Sequence, residues 1–212
     1  MLPDRVRVIW IHDVERPSDN YLALQMATME HEFGFRTSYN IRFLCALTPD
    51  FRAELDAVLA LSHEIQYQYE DLVIAAGDMA EARAGFRKNL AWLRSFYPDI
   101  TVGFAHGVYK SGYFSGDIFK ENGEWRPELI TALGLRPLGE LYYVIDRLSA
   151  ELGLRFHYVG EDRYIGGDEF AAALREAKPG EVVMFLQHPT WWDVNYDFDE
   201  LRRLVRKSAF FH

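Results

Sequence analysis

The feature that most constrains this chain is an abrupt change of character close to its start. Val6-Arg7-Val8-Ile9-Trp10-Ile11 is β-branched and aromatic, and it runs directly into His12-Asp13-Val14-Glu15. Such a run predicts a buried strand, and Arg16-Pro17-Ser18-Asp19 behind it predicts a turn and a helix start. Ionisable groups therefore collect at the carboxyl end of a strand. In parallel barrels that end faces the active site, so the placement favours chemistry over a helix cap or a surface hydrogen bond.

The same alternation repeats along the chain. Ser18-Asp19 can cap a helix with Leu22, Met26, Met29 and Phe33 at helical spacing, stopped by Gly34; His31, between Glu30 and Glu32, is expected to be solvated. Residues 36–44 read as a second strand, and Thr48-Pro49 opens a second helix through Leu61. Residues 64–70 set Ile65, Tyr67 and Tyr69 against Gln66 and Gln68, a third strand whose polar face points to the barrel mouth. The longest amphipathic helix is expected over 79–96, then a fourth strand over 101–107 ending in His106, then a loop over 108–126 with one helical turn. A short helix over 127–133, a strand over 140–145 and a strand pair over 154–165 follow. Asp168 caps a helix through Ala177, residues 181–186 form a buried strand running into Gln187-His188-Pro189, and a last helix spans 198–210. Repeated βα units predict one α/β domain over 1–212, a distorted, TIM-like parallel β/α barrel of about seven strands.

Composition narrows the class. With 49% hydrophobic and 15% aromatic residues in 212, the chain can bury a continuous core without disulfides. Cys45 is the only cysteine, consistent with a reducing compartment; the expectation is a cytoplasmic protein without a signal peptide. No apolar stretch approaches a membrane span of roughly 18 residues. A net charge of −9 argues against nucleic acid as a partner. The basic residues Arg202, Arg203, Arg206 and Lys207 suit a solvated helix end, with peripheral contact to an anionic membrane as the alternative. Oligomeric state is left open.

The polar groups at strand ends are His12, Asp13 and Glu15, then Gln66 and Gln68, then His106, and finally Gln187 and His188. Imidazoles and carboxylates held together can bind a divalent metal and move protons, which together activate water against a carbonyl.

These residues resemble the polysaccharide deacetylase superfamily, the chitooligosaccharide deacetylase homology domain, a distorted β/α barrel that removes acetyl groups from N-acetylated sugars. Ile11-His12-Asp13-Val14-Glu15 is similar to the His-Asp-Val-Asp opening of a bacterial branch, and Gly34-Phe35-Arg36-Thr37-Ser38-Tyr39 to its second strand. His63-Glu64-Ile65-Gln66-Tyr67-Gln68-Tyr69-Glu70 resembles its His-Glu-Ile-Gly-x-His-Tyr motif, and His106-Gly107 and Gln187-His188-Pro189 match its later strand ends. The resemblance implies Asp13 as metal ligand, His12 at the general-base position with Glu15 as rival, and His188 as general acid. It places His106 in the groove, where Gln66, Tyr109, Trp191 and Trp192 are further candidate substrate contacts.

The chain departs from the family where the metal should sit. The two histidines that complete a zinc-like site fall on Gln68 and Leu72. An amide oxygen is a weaker ligand than imidazole, and leucine is none. His63 aligns with a non-ligand histidine and is expected to be a turn residue.

The resemblance implies a hydrolase that removes an N-acetyl group from a sugar precursor in bacterial surface polysaccharide (O-antigen type) biosynthesis, with any metal held by a rearranged set around Asp13. The alternative is an inactive relative that binds a saccharide or a partner protein, with Tyr109, Tyr113, Trp125, Trp191 and Trp192 as flat faces for sugar rings. A glycoside hydrolase using two carboxylates such as Asp13 and Glu140 is the third reading.

Overall fold

The structure, a computed structural model, describes residues 7–107, 111–136, 156–160 and 167–192. Six strands lie in one sheet: β1 (Arg7–Val14), β2 (Ser38–Arg42), β3 (Glu64–Tyr69), β4 (Gly103–Ala105), β7 (Phe156–Gly160) and β8 (Val182–Gln187). Their order is β4-β3-β2-β1-β8-β7, and every pairing is parallel. The intervening helices are α1 (Asp19–Glu32), α2 (Pro49–Ala60), α3 (Asp71–Ile74), α4 (Met79–Arg94), α5 (Pro127–Thr131) and α6 (Gly167–Glu176). This is the expected parallel β/α arrangement. The predicted strand over 140–145 and final helix over 198–210 lie outside the described residues.

The sheet sorts its side chains by parity. Val14, Tyr39, Ile41, Ile65, Tyr67 and Tyr69 face outward and pack with Met26, Leu55, Val58, Phe86, Leu90 and Leu93 from the helices. A second, smaller cluster of Ile11, Phe104, Met184 and Leu186, with Val102 against it, lies on the inner face. Phe104 on β4 shares this cluster with Ile11 on β1 and with Met184 and Leu186 on β8, although β2 and β3 stand between β4 and β1 in the sheet order. The sheet therefore curls, and its inner face closes around an apolar plug.

Local chemistry explains most element boundaries. The Thr48 side chain accepts from the Phe51 N–H ahead of Pro49, and Asp78 accepts from Ala80 and Glu81 N–H at the start of α4. Gly34, at φ +76°, ends α1 as expected. Ser18 does not cap α1; its hydroxyl donates to Asp19, whose carboxylate instead takes the Arg16 N–H. The second strand stops at Arg42, because Phe43–Ala46 turns into a 3-10 helix.

The stretch read as a loop after β4 is more ordered than expected. It holds a 3-10 turn, Ser115–Phe119, and a hairpin of β5 (Lys120–Glu121) and β6 (Glu124–Trp125). Asn122 and Gly123 both have positive φ, 53° and 82°, the geometry of a two-residue hairpin turn. Gly77 (φ +90°) is required by close approach, since a Cβ there would lie 2.3 Å from the Tyr113 ring.

Phe86 joins α4 to β3 and the 3-10 turn through rings of Tyr67, Tyr69 and Phe119 at 5.4, 4.9 and 5.2 Å. Phe86→Ala is expected to cost about 3–5 kcal/mol in urea denaturation, against about 1 kcal/mol for removing the α4 cap with Asp78→Ala. Equal losses would mean that α4 is not held chiefly by this aromatic cluster.

Candidate functional site

Three inner rows run from apolar to ionisable at the period of a strand. From β1, Ile11 is followed by Asp13 and, one residue past the strand, by Glu15; beyond β4, Phe104 is followed by His106; beyond β8, Leu186 is followed by His188. The apolar residues fill the plug, so the polar ones emerge together above it at the carboxyl-end mouth.

Glu15 is the meeting point. Its Oε1 lies 3.0 Å from His188 Nε2 and 3.1 Å from His106 Nε2. The other nitrogen of His106, Nδ1, lies 3.2 Å from Glu70 Oε2. Arg42 donates from Nε to Glu70 Oε1 at 2.9 Å and from Nη2 to the same oxygen, and from Nη1 to the Glu15 backbone carbonyl at 3.0 Å. The contacts close a ring through Glu15, His106, Glu70 and Arg42, with His188 attached at Glu15.

The ring fixes its own charges. Burial alone would raise the Glu15 carboxyl, but hydrogen bonds from His106 and His188 outweigh it and hold Glu15 well below the usual carboxylate range. Burial likewise opposes the charge on His106, yet bonds to Glu15 and Glu70 raise it to about 9. Glu70 is lowered against its burial by His106 and Arg42. At neutral pH the ring therefore contains two carboxylates, an imidazolium and a guanidinium.

Asp13 sits deeper, at 8% exposure. Asn40 Nδ2 donates to its Oδ1 at 2.8 Å, and Gln68 Nε2 donates to its Oδ2 at 2.9 Å. Burial is the largest influence and pushes this carboxyl up, beyond what His188 and the Asn40 bond restore.

The divalent metal implied by the resemblance does not fit these donors. Gln68 turns its N–H toward Asp13, which is the orientation that holds a carboxylate rather than a shared cation. Leu72 is buried in the helix-facing core. Among the described residues, no group of three or more His, Cys, Asp or Glu side chains could hold a metal ion.

Several expected residues lie elsewhere. His12 is not at the mouth: strand alternation sends it outward, where it is fully buried and its Nε2 meets Glu30 Oε1 at 2.6 Å. It cannot serve as base there, and Glu15 occupies the position expected of its rival. Gln66 stands on the inner face below the mouth, and its Oε1 is taken by the N–H groups of Thr101 and Val102, both at 2.9 Å. Those bonds secure the entry to β4 instead of contacting substrate. Gln187 pairs in register with His12 and shares its outward parity. His63 is no simple turn residue; it is buried, with Nε2 donating to the Ala27 carbonyl at 2.9 Å. Tyr109 and Glu140 lie outside the described residues, as do the side chains of Trp191 and Trp192. Trp125 carries Lys120 Nζ over its ring at 5.2 Å. Asn40, Arg42 and Glu70 were not expected at the site, although their parity on β2 and beyond β3 would have placed them there.

A curled parallel sheet with helices along its outer face and an ionisable ring at its carboxyl end defines the class as a distorted parallel β/α barrel. No family model matches the sequence, and no curated protein does. Solved structures of CE4 proteins do match the fold. A mutant of a CE4 family pseudoenzyme with restored activity aligns over 97% of this chain and 63% of its own, at 11% identity and a TM-score of 0.52. The present chain thus spans less than two thirds of that protein's length. The CE4 domain of a multidomain xylanase from the hindgut metagenome of Trinervitermes trinervoides aligns over 96% and 82%, at 8% identity and 0.53. A Streptococcus mutans CE4 esterase aligns over 97% and 83%, at 14% identity and 0.54. The chain has the CE4 fold, which is the fold implied by its resemblance to the polysaccharide deacetylases. No helix among the described residues is long and apolar enough to cross a membrane.

The raised His106 predicts a pH signature. Below about pH 6.5 this imidazole is protonated in both the folded and unfolded chain, so its ion pairs contribute fully; the contribution is lost as pH climbs through the folded value of about 9. NMR titration should give His106 a midpoint near 9, and Glu15→Gln should move it down toward the ordinary value. An ordinary midpoint in the unmutated protein would contradict the ring.

Proposed function

We propose that this chain is a polysaccharide deacetylase-like hydrolase that removes an N-acetyl group from a saccharide. The observation that carries the reading is Glu15 joined to His188 and His106 at 3.0 and 3.1 Å, at the mouth of a CE4-type barrel. Acid-base groups from three strands converge there, in the geometry that water-dependent cleavage of an amide needs.

In this reading Glu15 stays ionised and is not itself the base. It orients His188 and offsets the charge that the imidazole gains on taking a proton from water. The water oxygen bonds to the acetyl carbon, and collapse of the adduct breaks the C–N bond. His188 returns the proton to the departing nitrogen, leaving acetate and an amino sugar. The positive charge of His106 faces the developing oxyanion. No step is assigned to a metal, because Asp13, Gln68 and Leu72 do not form a cation site. The specific substrate proposed is an N-acetylated precursor of bacterial surface polysaccharide, of O-antigen type.

A second reading is favoured by one observation. Amide donors occupy both oxygens of Asp13 and Leu72 is in the core, which suits a protein that binds a saccharide without hydrolysing it. One of the solved CE4 structures is itself described as a mutant of a pseudoenzyme.

Acetate release from a panel of N-acetylated saccharides decides between them. Hydrolysis should survive chelator treatment and fall about 10²–10⁴-fold in Glu15→Gln and in His188→Gln. Chelator-sensitive turnover would refute the metal-free assignment, and saccharide binding without acetate would establish the second reading.

A further inference from the structure

Behind the mouth, on the outer face of the same strands, lies a second buried polar cluster that the proposed chemistry does not use. Its centre is the Glu30 carboxylate of α1, only 1% exposed. Glu30 Oε1 meets His12 Nε2 of β1 at 2.6 Å. Its Oε2 accepts from Thr37 Oγ1 at 2.7 Å and from the hydroxyl of Tyr39 on β2 at 2.8 Å. Thr37 passes the connection on: its backbone N–H donates to His63 Nδ1 at 3.2 Å, and His63 Nε2 donates back to the Ala27 carbonyl of α1. The His12 and Tyr39 rings stack at 4.7 Å and 27°. One carboxylate thus ties a helix to β1 and β2, and through Thr37 to the histidine at the entrance of β3.

Stability alone does not account for this cluster. A buried carboxylate with its polar partners seldom stabilises a fold more than well-packed apolar side chains of similar volume. Here, moreover, His12 Nδ1 is buried without a hydrogen-bond partner, which is a further cost. What the cluster does supply is registration. His12 pairs with Tyr39 across β1 and β2, and the next pair along the strands is Asp13 with Asn40. The outer pair is locked by Glu30, and the inner pair makes the 2.8 Å bond beneath the mouth. Two residues beyond Asp13 the strand delivers Glu15 to His106 and His188.

We propose that Glu30, acting through His12 and Tyr39, is a positioning residue that sets the end of β1 against β2 and so aligns Asp13 and Glu15 in the mouth. The inference concerns the site of the proposed deacetylase reading, but the alignment it describes exists whether or not the chain hydrolyses anything. Its effect is therefore visible in the ligand-free protein. Loosening β1 lengthens the Glu15–His106 contact without touching either residue, and supports of this kind are what hold a polar constellation in its working geometry.

The test compares Glu30→Gln with the apolar double variant Glu30→Leu/His12→Leu, each checked for folding by urea denaturation and read by NMR titration of His106. The double variant removes the Glu30 charge and the orphaned His12 nitrogen, together with the acceptor shared by Thr37 and Tyr39; Glu30→Gln keeps the shape with one donor in place of an acceptor. In whichever variant folds with an unfolding midpoint near that of the parent protein, the His106 midpoint should drop by about 1 unit or more, a tenfold loss of proton affinity. Thr37→Ser, which keeps the hydroxyl, should leave it unchanged. A His106 midpoint unaltered in both Glu30 variants would overturn the proposal and leave the cluster a packing feature only. Failure of the acetate assay would count against the deacetylase reading and would not alter this result.

Discussion

A β-strand sends successive side chains to opposite faces, and in β1 this constraint organises the rest of the molecule. His12 goes outward under α1, while Asp13 and Glu15 go inward over the plug of Ile11, Phe104, Met184 and Leu186. Adjacent residues of one short motif thereby enter two different polar systems. The inner one faces the mouth and includes His106, His188, Glu70 and Arg42. The outer one is sealed beneath a helix and centres on Glu30.

The two carboxyls of the inner system differ in what surrounds them. At the mouth, cations and carboxylates alternate around the ring, so Glu15, Glu70 and His106 are stabilised in their ionised forms despite partial burial. Asp13 is held by neutral amides instead, and burial raises it. For two carboxyls two residues apart at the end of β1, the fold thus lowers one and raises the other. The difference arises from environment alone.

The inner parity also explains why the donors around Asp13 do not suit a metal. Gln68 and Leu72 stand where the resemblance places imidazoles, and each is otherwise engaged, since Gln68 satisfies Asp13 and Leu72 joins the core. A polar position adapted to hold a carboxylate, beside an apolar one, leaves Asp13 without companion ligands. Arg42 and Glu70 supply instead a compact ion pair that braces His106.

The sequence by itself determined the alternation of strands and helices, the stop at Gly34, the Thr48-Pro49 helix start and the convergence of Glu15, His106 and His188 at strand ends. These follow from local periodicity and from turn chemistry, which neighbouring residues carry. The Asn122-Gly123 turn is legible in the same way. Only the tertiary structure decided the side on which His12 falls, the burial of Glu30 beside the exposed His31, and the recruitment of Asn40, Arg42 and Glu70. A strand's pattern reveals that its faces differ but not which face becomes the mouth, because that depends on how the sheet curls and which helix covers it. Gln66 and Gln68 share one face and one residue type, yet one secures β4 and the other holds Asp13, a difference set by their height in the barrel.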